Sequence, residues 1–554
     1  MSLKNQPIPA IPEQTYRIAR ASFPKGNPWV RLRDELGVIY QNEEFASLFS
    51  QTGQPAIEPW QVAMVSVMQY AEGLTDRQAS EAVRSRIDWK YALSLELDDA
   101  GFDFSVLSEF RCRLIEGEAE EQMLDGLLKV CEEKKLLGGK RGKQRTDSTH
   151  VMAAVRVLNR LEIVIETMRH ALEVLSEVAP QWLLSEVKPG WTERYSRRME
   201  EYRLPKKEQE RCRLAEAVGE DGEQLLDAIY RKESPPWLRK IEAVQTLRRV
   251  WVQQYWQTRK GIKWRGKDDG LPPAHLGLHS PHDRDARYSK KRSVQWVGYK
   301  AHLTETCDEG RPRLIVEAET TAAPVPDNQV VEGLHNKLRS KKLLPKQHLV
   351  DAGYVDAGLI VSSRKLHKID LCGPTLADSS WQGRAGKGFA VSDFSFDWDN
   401  RQVSCPQGRQ SSSWHEAIDN RRGKAKVQIK FSRLDCRPCP SRIECTSTQR
   451  RILTVLPREE FEALTEARRR EQTPKWKKEY KKRAGVEGTI SQAVRNNGLR
   501  RARYVGLAKM HLQTLLTAVA INLSRIASWL GGVPLTKTRL TAFADLMQTK
   551  AIIC

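Results

Sequence analysis

The strongest constraint on the fold lies past the middle of the chain, after Pro272-Pro273. The run Val294-Gln295-Trp296-Val297-Gly298-Tyr299-Lys300-Ala301-His302-Leu303-Thr304 is rich in β-branched and aromatic residues and reads as a strand. Asp308-Glu309-Gly310 supplies a turn, and Leu314-Ile315-Val316-Glu317-Ala318-Glu319-Thr320 reads as its hairpin partner. Pro326-Asp327-Asn328-Gln329 opens a helix that should run through Leu338. A short strand, His348-Leu349-Val350, ends at Asp351. A helix near residues 356–365 and an apolar strand, Ile369-Asp370-Leu371-Cys372, complete the series. Strand, hairpin, helix, strand, helix, strand is the order of an RNase H-like α/β core.

The flanking segments read differently. Residues 1–28 are Pro-rich and predict a flexible arm. Residues 29–137 have helical periodicity, with Val30, Leu32, Leu36, Ile39 and Tyr40 on one face and Val62, Val65, Met68 and Tyr70 on another. Pro59 suits a first helical turn, and Thr75-Asp76-Arg77-Gln78 and Ser105 with Glu109 read as helix starts. Two short helices here could form a helix-turn-helix presenting Arg84, Arg86, Arg111 or Arg113 to DNA, or an ordinary bundle with solvated arginines. Residues 152–275 predict a helical insertion, with Leu158, Leu161, Ile163, Ile165, Met168 and Leu172 on its seam. Its Trp251, Tyr255, Trp256 and Trp264 either stack on nucleic acid or anchor helices. The core proper is then expected in residues 138–151 and 276–375. Residues 376–460 form a Cys-rich insertion, 461–530 carry C-terminal core helices, and 531–554 form a tail. Leu507–Leu530 should pack on the core rather than enter a membrane.

Charge points to the partner. Lys and Arg total 91 against 70 Asp and Glu, a formal charge of +21, which favours a polyanion because neutralised phosphates release counterions. Ten cysteines in 554 residues do not suggest a secreted disulfide framework. No uninterrupted apolar run reaches the roughly 18–20 residues that span a bilayer, so the expected setting is cytoplasmic, with no membrane.

Two aspartates stand at predicted strand ends. Asp147 lies in Arg145-Thr146-Asp147-Ser148-Thr149-His150-Val151, after the basic run Gly139-Lys140-Arg141-Gly142-Lys143, and Asp351 lies in Val350-Asp351-Ala352-Gly353-Tyr354. A third carboxylate, Glu487, follows Tyr480 and Arg483 at i, i+3 and i+7 spacing, one face of a predicted helix with Arg483 free to meet phosphate. Three carboxylates brought together could hold two divalent cations about 4 Å apart, which would activate an attacking oxygen and stabilise a leaving one. Glu471 and Glu479 are nearby rivals for the third position.

At these residues the chain resembles insertion-sequence transposases of the DDE class, over roughly residues 29–525. The matching pieces are Thr146-Asp147-Ser148-Thr149-His150, Trp296-x-Gly298-Tyr299-Lys300-x-His302, Asp351-x-Gly353-Tyr354 and Tyr480-x2-Arg483-x3-Glu487. Glu58-Pro59-Trp60-Gln61 and Gly73-Leu74-Thr75-Asp76-Arg77 resemble the family's N-terminal DNA-binding region. The resemblance implies Asp147, Asp351 and Glu487 as catalytic, metal-holding carboxylates for Mg²⁺ (or Mn²⁺), with Tyr480 and Arg483 in support. It also implies double-stranded DNA, both element ends and target, as substrate, and a homodimer or larger assembly on it. One departure is plain: the related Tyr-Arg-Glu-Lys signature has Lys seven positions after Glu, and Val494 stands there. Arg495, Lys509, Arg503 and Lys300 are the remaining candidates for contact with DNA.

Between the second and third carboxylates lie Cys405, Cys436, Cys439 and Cys445, which could hold one tetrahedral structural Zn²⁺, with His415 as a substitute ligand. The dense run of Arg and Lys over residues 468–483 reads as a phosphate track. The expected protein is a transposase that cleaves DNA and transfers strands. A catalytically inactive or repurposed DNA-binding protein and a related metal-dependent nuclease are the alternatives.

Overall fold

The computed structural model describes residues 2–3, 6–138, 141–259, 261–378, 380–420 and 423–533. Gly139 and Lys140, and the tail beyond residue 533, lie outside the described residues.

A six-stranded mixed sheet organises the molecule: β1 (Lys143–Met152), β2 (Arg287–Lys291), β3 (Val294–Thr306), β4 (Ile315–Ala322), β5 (Gln347–Leu349) and β6 (Asp370–Cys372). β3 runs antiparallel to β1 on one side and to both β2 and β4 on the other. β5 joins β1 in parallel, and β6 joins β5 in parallel. The expected strands are present, and β2 is an addition; its polar sequence, Arg-Tyr-Ser-Lys-Lys, carries no strand signal beyond its pairing with β3. Gly298 shows why its position excludes a side chain. It sits at φ +151°, and a Cβ there would meet the Val151 carbonyl oxygen at 2.2 Å and the Ala153 nitrogen at 2.7 Å.

The helix expected after Pro326 begins as a short 3₁₀ turn and continues as Val331–Ser340. The C-terminal helix Leu507–Leu530 packs on β4 and on the helix Pro59–Glu72. Its buried Asn522 accepts from the Ile315 N–H (2.7 Å) and donates to the Ile315 carbonyl (2.8 Å), capturing an edge residue of β4. This helix, the sheet and the N-terminal helices share one apolar cluster that includes Trp60, Leu127, Val151, Leu303, Val316, Leu515 and Val519. No helix among the described residues is long and apolar enough to cross a membrane.

Several expectations are corrected. Part of the predicted flexible arm is a helix, Glu13–Ser22, held by buried Thr15 and Ala19, with the Thr15 hydroxyl donating to the Leu95 carbonyl. In the N-terminal helices Thr75 does cap Asp76–Ser85 through a reciprocal Thr75–Gln78 box. The arginines offered to DNA are occupied internally. Arg111 is buried and paired with Asp76, Arg86 with Asp88 and Glu72, Arg84 with Glu81, and Arg113 bonds the Leu48 carbonyl. The segment after β1 folds on its own core of Leu161, Val164, Met168, Val218, Leu225, Leu247 and Trp251. It ends as a hairpin, Tyr255–Thr258 with Gly261–Trp264, rather than a helix. Trp251 and Tyr255 anchor that core, bonding the Gly219 and Ala215 carbonyls, while Trp256 is exposed.

Candidate active site

Asp147 is in the middle of β1, opposite Leu303 of β3, rather than at a strand end. It is paired on that side alone, since the parallel partner β5 reaches only as far as Arg145, and the Ser148 N–H donates to its Oδ1 at 2.8 Å. Asp351 follows β5 directly, on the strand next to β1. It caps a short 3₁₀ turn by accepting from the Gly353 N–H at 2.8 Å. Behind it Tyr354 is fully buried, its hydroxyl 2.7 Å from His302 Nδ1, so the Asp-x-Gly-Tyr and Lys-x-His pieces meet in one layer.

The third carboxylate arrives by a different route from the one its spacing suggests. Tyr480 ends the helix Pro474–Tyr480, Lys481–Ala484 is a 3₁₀ turn, and Glu487 lies in the first turn of the helix Gly485–Arg495. No single α-helix carries all three residues. Arg483, on the turn, still joins them. Its guanidinium donates to Asp147 Oδ2 at 2.7 Å and to Glu487 Oε1 at 3.3 Å. Burial lowers the proton affinity of Arg483, but the fields of Asp147, Tyr480, Asp351 and Glu487 together raise it above the usual arginine range. Burial raises the Asp147 carboxyl above its usual range, with Arg483 opposing and Asp351 reinforcing the rise. Arg483 is therefore an internal counter-charge, not the free phosphate contact expected of it.

Glu487 is exposed, whereas its rivals are engaged elsewhere. Glu479 pairs with Lys143 and Lys482, and Glu471 accepts from the Thr375 N–H and hydroxyl. Tyr480 stacks on Trp476, with centroids 4.7 Å apart, and burial pushes its phenol up to about 12.

A buried clasp unseen in the sequence fixes this arrangement. Glu305 of β3 is fully buried and accepts from Arg145 (2.7 Å), Arg525 (2.7 Å) and the Thr489 hydroxyl (2.6 Å). Arg145, two residues before Asp147, also donates to the Lys482 carbonyl and lies against Gly485. The strand of the first carboxylate and the helix of the third are thus tied through one ion cluster.

The cationic candidates separate. Lys300 is mostly buried and paired with Asp327 at 2.6 Å, beside the Asp351 turn. Arg503 bonds the Leu74 carbonyl and lies 4.5 Å over the Tyr70 ring, bracing the N-terminal helices. Arg495 and Lys509 are exposed at the end of one helix and the start of the next. In the basic run Arg470 is committed to Asp370 and Arg469 to Glu466, whereas Lys475, Lys477, Lys478 and Lys481 are exposed.

Two parts of the chain match known family models. Residues 17–113 match the transposase domain DUF772, and residues 404–527 match the transposase DDE domain. These are the domains of an insertion-sequence transposase of the DDE class. The DDE match spans Glu487 and the four clustered cysteines, and the DUF772 match spans the N-terminal helices. Comparison with curated proteins and with solved structures returns no match.

Proposed function

We propose that this transposase cuts DNA at the ends of its element and joins the freed 3′ ends to target DNA, using Asp147, Asp351 and Glu487 as its catalytic carboxylates. The supporting observation is the convergence on Arg483, which is bonded to Asp147 and Glu487 and lies within the field of Asp351. The strand order, with an antiparallel hairpin on one side of β1 and parallel strands on the other, supports an RNase H-like core.

The donor set suits Mg²⁺ or Mn²⁺, since it is all oxygen and borne on separate rigid elements. Among the described residues no three His, Cys, Asp or Glu side chains stand ready around one ion; Asp147 and Glu487 are instead engaged with Arg483. Asp147, Asp351 and Glu487 would hold the metal, two ions in the full reading. When bound, it would activate the attacking oxygen and stabilise the leaving one. The chain's own part is to fix Asp147 within the sheet, hold Asp351 on its turn, and bring Glu487 to them through the Arg145–Glu305–Arg525 clasp. The exposed lysines at 475–481, with Arg495 and Lys509, offer phosphate contacts to double-stranded DNA. Bringing two ends together calls for a homodimer or larger assembly on DNA.

The deciding experiment incubates purified protein with labelled DNA from both flanks of its gene, in Mg²⁺ or EDTA. Metal-dependent nicks at discrete end positions, lost in Asp147→Asn, Asp351→Asn and Glu487→Gln, are expected, together with joined products when target DNA is supplied. Nicking without joining would replace this reading with a nuclease. End binding without cutting in Mg²⁺, or in Mn²⁺ in its place, would replace it with a DNA-binding protein.

A further inference from the structure

The segment around residues 389–456 has little apolar material to fold on. Its buried side chains are Phe394, Val403, Val427, Ile429, Phe431, Leu453 and Val455. They are shared between a short hairpin, Ser395–Asp397 with Gln402–Ser404, and a three-stranded sheet, Ser411–Asp419, Lys424–Phe431 and Ile452–Val455. Units below about 70–80 residues with so small a core are commonly secured by a disulfide or a metal. The nine cysteines described are all free thiols, so no disulfide serves here.

Four of those thiols face one cavity. Cys405 leaves the hairpin into a tight turn, in which the Gly408 N–H donates to the Cys405 carbonyl (2.8 Å) and the Cys405 N–H to the Arg409 carbonyl (2.8 Å). Gly408 adopts φ +76°, and the Arg409 N–H points at Cys405 Sγ from 3.3 Å. Cys436 closes the helical turn Arg433–Cys436, and the Cys439 N–H donates back to its carbonyl. Cys445 closes the turn Arg442–Cys445, its carbonyl held by Gln382 and Arg451. All four cysteines line one small cavity, walled by Phe389 and Phe431 and flanked by Arg409, Arg442 and Arg451. With Asp435 the only acid in that lining, the three arginines leave the surround of the thiols net positive.

We propose that Cys405, Cys436, Cys439 and Cys445 form a structural zinc site that holds the hairpin to the three-stranded sheet. The donor set is soft, and the two turns, Cys405-Pro-Gln-Gly408 and Cys436-Arg-Pro-Cys439, approach from separate parts of the chain, as tetrahedral thiolate sites require. The thiols are not preassembled around a point; side-chain rotation about the fixed turns closes the site. His415 is not a ligand: it lies exposed on the strand Ser411–Asp419, outside the cavity lining. The proposal is independent of the catalytic reading.

The test measures zinc in the full chain purified without chelator, by plasma mass spectrometry. About one zinc per chain is expected, falling to background in Cys439→Ser and unchanged in Cys112→Ser. Because Cys439→Ser can simply fail to fold, the wild-type chain is also stripped of zinc and titrated with Co²⁺. A thiolate-to-cobalt charge-transfer band with tetrahedral d–d absorption, saturating at one equivalent, is expected. Background zinc in the wild-type protein and no such band would overturn the site. Zinc retained in Cys439→Ser would overturn the assignment of that ligand.

Discussion

The Arg483 guanidinium stands 2.7 Å from one carboxylate oxygen of Asp147 and 3.3 Å from one of Glu487, so a single side chain bridges two acids that lie 340 positions apart in sequence. A divalent cation would compete with it for the same oxygens. In Arg483→Gln those carboxylates lose their internal counter-charge. The variant should bind Mn²⁺ several-fold more tightly by calorimetric titration, while end cleavage falls at least tenfold because Glu487 loses its tether. Unchanged metal affinity would show that Arg483 and the ion do not share these oxygens.

Glu305 is fully buried and serves two arginines and a hydroxyl. Removing its charge leaves Arg145 and Arg525 short of an acceptor, and breaking a buried pair costs about 3–5 kcal/mol. Urea unfolding of Glu305→Gln should show a loss of that size. Its residual end cleavage should fall further than stability alone explains, since Glu487 rides on the clasped helix.

Histidine burial sets an acid limit. His302 and His348 are held down to about 4 and His335 to about 2, mainly by burial; His348 bonds both His335 (2.9 Å) and Thr146 (2.6 Å), and His302 bonds the Tyr354 hydroxyl. Unfolded, each titrates near 6.5. Above that pH both states are neutral and the contribution is fully present. Below it the unfolded chain takes up protons that the fold refuses, and stability falls by about 1.4 kcal/mol per pH unit for each histidine. Thermal midpoints should therefore drop steeply from pH 6.5 towards 4, and less steeply in His335→Asn.

Gly298→Ala tests the closeness of β1 and β3. Its Cβ would meet backbone atoms on the neighbouring strand, which cannot yield as a flexible side chain would. A loss of about 2 kcal/mol or more is expected in urea.

The short strand before Asp351 was readable in sequence because an apolar run ending in turn residues is a local signal, whereas Asp147 was expected at a strand end and lies within the polar strand β1. Helix starts at Pro59 and Thr75 were readable for the same reason. Glu487 was singled out by spacing, although the continuous helix which that spacing implied is broken by a 3₁₀ turn. The Arg145–Glu305–Arg525 clasp left no such signal, because its members are 160 and 220 positions apart and each is an ordinary charge in sequence. Strand β2 was missed because an edge strand of polar residues is defined by its neighbour rather than by its own composition. Arg503 and Arg111 stood only as candidates for contact with DNA, because sequence shows a charge but not the Tyr70 ring or the Asp76 carboxylate beside it.

Met152, the last residue of β1, and Arg287, the first of β2, are both register partners of Gly298, one on each side of β3. With strands about 4.8 Å apart, the chain leaves the sheet and returns to it within roughly 10 Å, after the whole helical segment between them. That segment closes on its own apolar core. To the sheet it is a loop, whose length is nearly immaterial because closure entropy grows only with the logarithm of chain length. Residues 154–282 should thus behave as a cassette, and a short Gly-Ser bridge in their place should leave the remaining polypeptide able to fold by itself, since Asp283 and Ala286 already belong to the sheet's own packing.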